Sequence, residues 1–323
     1  MGEGSKAYSP TVLLFAESAI FAPLLLLRSE KSMTSIENVL ETPRWGKPLS
    51  APAKLNLFLY VIGRRADGYH LLQTLFRFID FADSLVFLPR DDGKIVLETP
   101  LANIPAEKNL AVRAARLLRE RTGVHAGVSI SLEKRLPSGG GLGGGSSDAA
   151  TTLLALNHLW QTGLSRPELQ ALGLNLGADV PVFIFGQNAF AEGVGEELTP
   201  IVLPTSWYLL LFPPVAADTA AVFSSPDLRR DTMRITDWQE GLEPGHNFGR
   251  NDLEPVATAL YPVIGEYLSW LRAHAGRGWM SGSGATVFAE CPDEAAALAL
   301  AHDLPSGWKW RIAKGLSQHP LLI

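Results

Sequence analysis

Cysteine is nearly missing from this 323-residue chain: Cys291 stands alone, so no internal disulfide can form, and the cytoplasm is the natural compartment. Zinc-ligand spacing and internal repeats are also missing. There is no basic excess. Lys and Arg number 28 against 33 Asp and Glu, for a net charge of −5, which argues against a nucleic-acid partner. Long hydrophobic runs are scarce as well. The one candidate, 11–27, contains Glu17 and Pro23, lacks a cleavage-type flank and is barely long enough to span a bilayer, so no membrane association is expected. Residues 1–45 read as a poorly ordered extension in which Met33 is an alternative start.

Glycine is plentiful, and it concentrates. Between Leu136 and Ala150 the sequence is LPSGGGLGGGSSDAA, followed by the apolar helical run TTLLALNHLW. Such a stretch suits a loop whose N–H groups converge on an anion, and Ser146, Ser147 and Asp148 are placed to cap the helix that follows. No lysine occurs from Pro137 to Trp160, which excludes a Walker loop, and no acidic residue stands where a Rossmann fingerprint needs one. A flexible linker would not run directly into a helix.

At this length two domains are expected. Organised sequence begins near Ala51. PAKLNLFLYVIG alternates as a strand, with Leu55, Leu57 and Leu59 on one face and Lys54 and Asn56 on the other, although a strand lysine is more often merely solvated. A turn at Asp67-Gly68 leads to Tyr69 and His70 and then to an apolar strand or helix; this pair suits a planar base or a core cap equally well. Further strands are expected at 81–89 and 94–98, a helix from Asn109 to a stop at Gly123, and a strand over 128–132 leading through Lys134 and Arg135 into the glycine loop. Beyond the loop helix, a short helix capped by Ser165 precedes Asp179, at the edge of the apolar VPVFIF. Taken alone, Asp179 reads more readily as a cap or turn acid than as a reactive group. The second half offers a strand and loop over 207–230, a helix over 251–272 with Pro255 in its first turn, the close-approach turn Gly282-Ser283-Gly284 opening into a strand, a helix over 292–301 and a last strand at 311–316.

PAKLNLFL, LPSGGGLGGGSSDAA, GADVPVF and SGSGATVF occur in this order, and the set resembles the three-motif signature of the galactokinase, homoserine, mevalonate and phosphomevalonate (GHMP) kinase superfamily. KLNLFLYVIGRRADGYHLLQT, LGADVPVF and AFAEGVGE are similar to the branch acting on an alcohol linked to cytidine diphosphate, in the non-mevalonate isoprenoid route. The likeness covers Ala51 to the C-terminus.

The resemblance implies an α+β, two-lobed fold: an ATP-binding domain over 46–190 plus 311–323, and a smaller ferredoxin-like substrate domain over 191–310. It implies that ATP phosphates are held by Pro137, Ser138, Gly139, Gly140, Gly141, Leu142, Gly143, Gly144, Gly145, Ser146 and Ser147, with Asn109 and Lys134 on the adenine side. Lys54 and Asp179 match the catalytic pair, with Asp179 orienting or deprotonating the 2-hydroxyl of a methylerythritol group. Tyr69 and Phe223 match the residues flanking cytosine, and His70 the residue reading its edge. Asn56 and Thr219 stand near the substrate hydroxyls, and Gly282, Ser283 and Gly284 beside the phosphates. Mg2+ is implied with ATP, Ser147 being a candidate ligand. Kinases of another alcohol and a silent nucleotide-binding regulator are the competing expectations; the first lacks use for a base clamp, the second for Lys54 and Asp179.

Overall fold

The structure is a computed structural model describing Met1 and residues 41–101, 104–236 and 249–322. The apolar run at 11–27 and the alternative start at Met33 lie outside the described residues.

The first sheet is built on a long antiparallel hairpin of β1 (Leu49–Arg64) and β2 (His70–Arg90), turned at Gly68 with φ +93°. Alternation predicts one buried face for β1, yet every residue from Ala51 to Leu59 is buried. A register shift between Asn56 and Leu59 explains part of this. The bulge puts the consecutive Leu57 and Phe58 into one apolar cluster while Asn56 and Thr74 stay together on the other side. β2 runs unbroken for 21 residues where two strands were expected. It pairs with β4 (Gly127–Glu133) at one end and β5 (Ala189–Glu192) at the other; β3 (Ile95–Leu97) and β6 (Glu197–Pro200) complete the sheet in the order β3-β4-β2-β5-β6, with β1 also on β2.

Four helices cover this sheet: α1 (Leu110–Thr122), α2 (Gly144–Leu159), α3 (Arg166–Leu174) and α4 (Val180–Phe185). Asn109 caps α1 by accepting from Ala111 N at 2.9 Å, and Gly123 ends it at φ +71°. The Ser165 N–H and hydroxyl both donate to Glu168 at the start of α3. α2 is central, with Ser147 to Leu153 all buried, and it packs with Phe78, Phe87, Leu118 and Phe183 in one core.

The second sheet follows: β7 (Trp207–Phe212), the short α5 (Thr219–Ser224), α6 (Glu254–Leu260), α7 (Pro262–Ala275), β8 (Trp279–Met280), β9 (Val287–Cys291), α8 (Glu294–His302) and β10 (Lys309–Lys314). Its order is β10-β7-β9-β8, every pair antiparallel, with helices after the first and third strands. That is the ferredoxin-like arrangement expected. The helix expected over 251–272 is broken at Tyr261 (φ −132°), because Pro262 disfavours helical geometry in the residue before it.

Two expectations about sheet membership are corrected. AEGVGE, read as the break between domains near 190, is the tight turn of the β5–β6 hairpin and stays with the first sheet. The last strand, expected back in the first lobe, pairs with β7, although Lys314 N at its end donates to Asp80 Oδ1 of β2 at 2.8 Å; the tail after it returns, with Leu316 N donating to Phe78 O and His319 N to Gly186 O, both at 2.8 Å. Among the described residues no helix is long and apolar enough to cross a membrane.

Candidate active site

Between the sheets lies a cleft of about 950 Å³. One wall is the glycine loop, where Gly139, Gly141 and Gly143 take φ +66°, +71° and +69°. These positions need glycine on contact grounds as well. A Cβ on Gly141 would lie 2.0 Å from Ser281 O, and one on Gly143 would lie 2.9 Å from the Phe183 ring and 3.2 Å from Lys54 Cε. The 281–286 turn is laced to the loop: Ala285 N donates to Gly139 O, Thr286 N to Gly140 O (both 3.2 Å) and Ser281 Oγ to Gly141 O (2.9 Å). Buried Asn251 holds that turn from behind by donating to Met280 O and Gly282 O.

The cap of α2 differs from expectation. Gly143 is the N-cap, and Ser146, Ser147 and Asp148 sit inside the helix. The first bond of the helix runs from Ser147 N to Gly143 O at 2.8 Å, which leaves the N–H groups of Gly144, Gly145 and Ser146 without helical acceptors where they line the cleft. Side-chain caps are absent, and the open end suits an anion. Ser147 does not line the cleft: it is fully buried, and its hydroxyl donates to Pro52 O at 2.7 Å, tying α2 to β1.

Beside the loop, Lys54 is 3% exposed. Its Nζ donates to Asn56 Oδ1 at 2.6 Å, lies 3.3 Å from Asp179 Oδ2 and sits 5.4 Å from the Phe76 ring centroid. Asn56 is oriented by donating Nδ2 to Thr74 Oγ1 at 2.9 Å, and Thr74 donates on to Phe58 O. A buried ammonium needs such partners, so the strand lysine is not a solvated one. Asp179 stands just before α4, makes no capping bond and is 37% exposed. The pair is thus asymmetric: a fixed cation and an accessible carboxylate at the positive end of a helix.

A second charged cluster sets the mouth of the loop. Asp83 accepts from Arg135 N (2.6 Å) and Leu136 N (2.8 Å), and Lys134 bonds both Asp83 and Asp148, the latter at 2.9 Å. Burial pushes the Asp148 carboxyl up to about 7 against the pull of Lys134. Burial alone would lower Lys134, but the two carboxylates outweigh it and raise it above the ordinary lysine value. Asn109 and Lys134 do line the cleft, though both side chains already have protein partners.

At the far end, His70 and Phe223 face each other with ring centroids 5.1 Å apart and planes tilted by 35°, while Tyr69 lines the same end but is 61% exposed. Asp218 caps α5, which carries Phe223 and Thr219; Thr219 Oγ1 lies 2.8 Å from Ser283 Oγ. Burial, then Arg230, then Arg64 lower the His70 pKa.

Every site residue expected from the sequence lines this one cleft except Ser147 and Gly284, whose place is behind the wall. Residues missed were Thr74, Asp83, Arg230, Asn251 and Ser281. Each acts through partners far away in sequence; Ser281 opens the SGSGATVF motif, and no local pattern marks the other four. Among the described residues no group of three or more His, Cys, Asp or Glu side chains is placed to hold a metal ion.

Fold and cleft define a kinase of the GHMP class. The GHMP kinases N terminal domain family matches residues 109–187, and the GHMP kinases C terminal family matches 226–309. A protein of Dechloromonas aromatica named 4-diphosphocytidyl-2-C-methyl-D-erythritol kinase is 58% identical over 84% of this chain and 97% of its own length. A protein of Thiobacillus denitrificans with the same name is 55% identical over 84% and 96%. A crystal structure of 4-(cytidine 5'-diphospho)-2C-methyl-D-erythritol kinase is 38% identical, with a TM-score of 0.72 over 83% of this chain and 99% of that one. Homoserine kinase from Cytophaga hutchinsonii, at 17% identity and a TM-score of 0.64, shares the fold, covering 86% of this chain and 97% of its own. The chain belongs to the 4-diphosphocytidyl-2-C-methyl-D-erythritol kinase family of the GHMP kinases.

Proposed function

We propose that this chain transfers the γ-phosphoryl group of ATP to the 2-hydroxyl of 4-diphosphocytidyl-2-C-methyl-D-erythritol, a step of the non-mevalonate route to isoprenoid precursors. The observation that carries the reading is the placement of the Lys54–Asp179 pair. The pair lies against a glycine loop with free N–H groups, in a cleft whose other end holds His70 and Phe223.

In this reading the loop N–H groups and the α2 end hold the phosphates, and the first sheet with the residues up to Pro200 and the tail forms the ATP-binding domain. Asp179 accepts a hydrogen bond from the substrate hydroxyl. As that oxygen bonds to the γ-phosphorus, the β,γ-bridging P–O bond breaks, ADP leaves and the proton passes to Asp179. Lys54 pairs with the carboxylate and faces the charge spreading over the transferred group, while Asn56 and Thr74 prevent its ammonium from turning away. Thr219 and Ser283 serve the substrate side. Tyr69, Phe223 and His70 take the cytosine, the exposed Tyr69 being free to close over it.

Asp179 and Ser146, which line the cleft beside the loop, are the residues that would hold magnesium alongside the nucleotide, and few protein ligands is what Mg2+ on a nucleotide usually has. Bound, it would neutralise phosphate charge during transfer.

The test follows ATP consumption by purified protein with 4-diphosphocytidyl-2-C-methyl-D-erythritol, mevalonate and homoserine in parallel. Turnover of the cytidylyl substrate alone is expected. Turnover of another alcohol would overturn the base clamp, and ATP binding without turnover on any of them would leave a regulator.

A further inference from the structure

Arg230 belongs to no motif, yet four of its five N–H donors are engaged. Nη1 donates to Leu228 O at 2.9 Å, Nη2 to Phe223 O at 3.1 Å and Ser225 O at 2.8 Å, and Nε to His70 Nε2 at 3.0 Å. Arginine has five N–H donors and no acceptor, so a bond from its Nε to His70 Nε2 requires that nitrogen to carry a lone pair. His70 is then neutral with its proton on Nδ1. The same side chain grips both ends of the Phe223 turn. One residue therefore sets the tautomer of the imidazole and the position of the ring facing it, 5.1 Å away. Burial and the two arginines Arg230 and Arg64 disfavour protonation of His70, which agrees with this assignment.

We infer that Arg230 is a positioning residue for base recognition, locking His70 as a donor through Nδ1–H so that the site accepts a pyrimidine presenting an acceptor edge and rejects one presenting N3–H. The inference rests on the cytidylyl reading above. Both bases offer O2 as an acceptor, but N3 is an acceptor in cytosine and carries a proton in uracil, so a donor fixed on N3 meets a donor in uracil and a buried edge is left unpaired. A histidine free to exchange tautomers would read both bases.

The lock is tested by nitrogen-15 NMR of histidine-labelled protein without ligand, His70 being assigned by its loss in His70→Gln, together with kinetics on the cytidylyl substrate and its uridylyl counterpart. Wild-type His70 is expected to carry its proton on Nδ1. In Arg230→Met the Nε2–H form appears, KM for the cytidylyl substrate rises about tenfold with the loss in KM and not in kcat, and the cytidine preference in kcat/KM falls about tenfold, as for one lost base-edge hydrogen bond. Arg230→Lys, which keeps a donor, restores part of both. Because Arg230→Met also frees three carbonyls, a second pair isolates the donor. His70→Asn, whose amide nitrogen stands near Nδ1, keeps the preference, and His70→Gln, whose nitrogen stands near Nε2, loses it. A wild-type His70 protonated on Nε2, or a preference that survives both Arg230→Met and His70→Gln, would overturn the inference. Failure of the wild type to use the cytidylyl substrate would instead remove the reading beneath it, with the tautomer still decided by the spectrum.

Discussion

The two ends of the cleft are built on different plans. The phosphate end is backbone and buried lattice: glycines at positive φ, a zipper between residues 139–141 and 281–286, and Lys54 fixed by Asn56 and Thr74. The base end is side chains on a hairpin turn and a six-residue helix, with Tyr69 exposed and Phe223 tethered through Arg230. The first plan suits chemistry, where small displacements are costly, and the second suits recognition, where a ring must move aside and return. Substitutions at the two ends should therefore separate rate from affinity.

The largest effect is expected at the phosphate end. Lys54→Ala and Asp179→Asn should each lower kcat by about 10³-fold, within the range for losing an acid–base or charge-stabilising group, with little change in ATP affinity for Asp179→Asn; steady-state kinetics and ATP titration measure both. Gly141→Ala tests the wall itself. With a Cβ 2.0 Å from Ser281 O and a φ of +71°, the loop must shift, and a drop in Tm together with loss of ATP binding is expected. At the base end, Phe223→Ala should raise KM about tenfold or more, in line with one stacking contact, while kcat at saturation stays near wild type.

The smallest effect concerns neither end. His319, in the returning tail, is fully buried; it accepts from Leu321 N at 3.0 Å and meets the Phe78 ring edge-on. Burial, then Arg166, lower its pKa from 6.5 to about 3. The unfolded chain therefore binds the proton more readily. Stability from neutral His319 is fully present above about pH 6.5 and is lost as pH falls toward 3. Urea midpoints across that window should fall in the wild type and fall less steeply in His319→Asn, which itself is less stable at neutral pH.

The same contrast decides what was legible in the sequence. Gly139, Gly141, Gly143, Gly282 and Gly284, all at positive φ, announce themselves because close backbone approach favours glycine there, and the strands and caps around them follow from alternation and from Asn109, Gly123 and Ser165. The support behind them was not legible. Thr74 matters through Asn56, Asn251 through a carbonyl 31 residues on, and Arg230 through His70, 160 positions away. Ser147 misled because a hydroxyl beside a phosphate loop looks like a cap or ligand, whereas the helix starts three residues earlier and turns that hydroxyl toward Pro52. The break near 190 and the last strand misled for a related reason: a turn-rich stretch and a short strand say nothing about which sheet they join.

The most direct test of the account is single-turnover transfer from ATP to 4-diphosphocytidyl-2-C-methyl-D-erythritol at saturating substrate, compared among wild type, Asp179→Asn and Phe223→Ala, with substrate Kd measured alongside. The account predicts that Asp179→Asn binds normally and transfers about 10³-fold more slowly, while Phe223→Ala binds weakly and, once saturated, transfers at nearly the wild-type rate. Equal loss of rate in both, or a wild-type rate in Asp179→Asn, would contradict it.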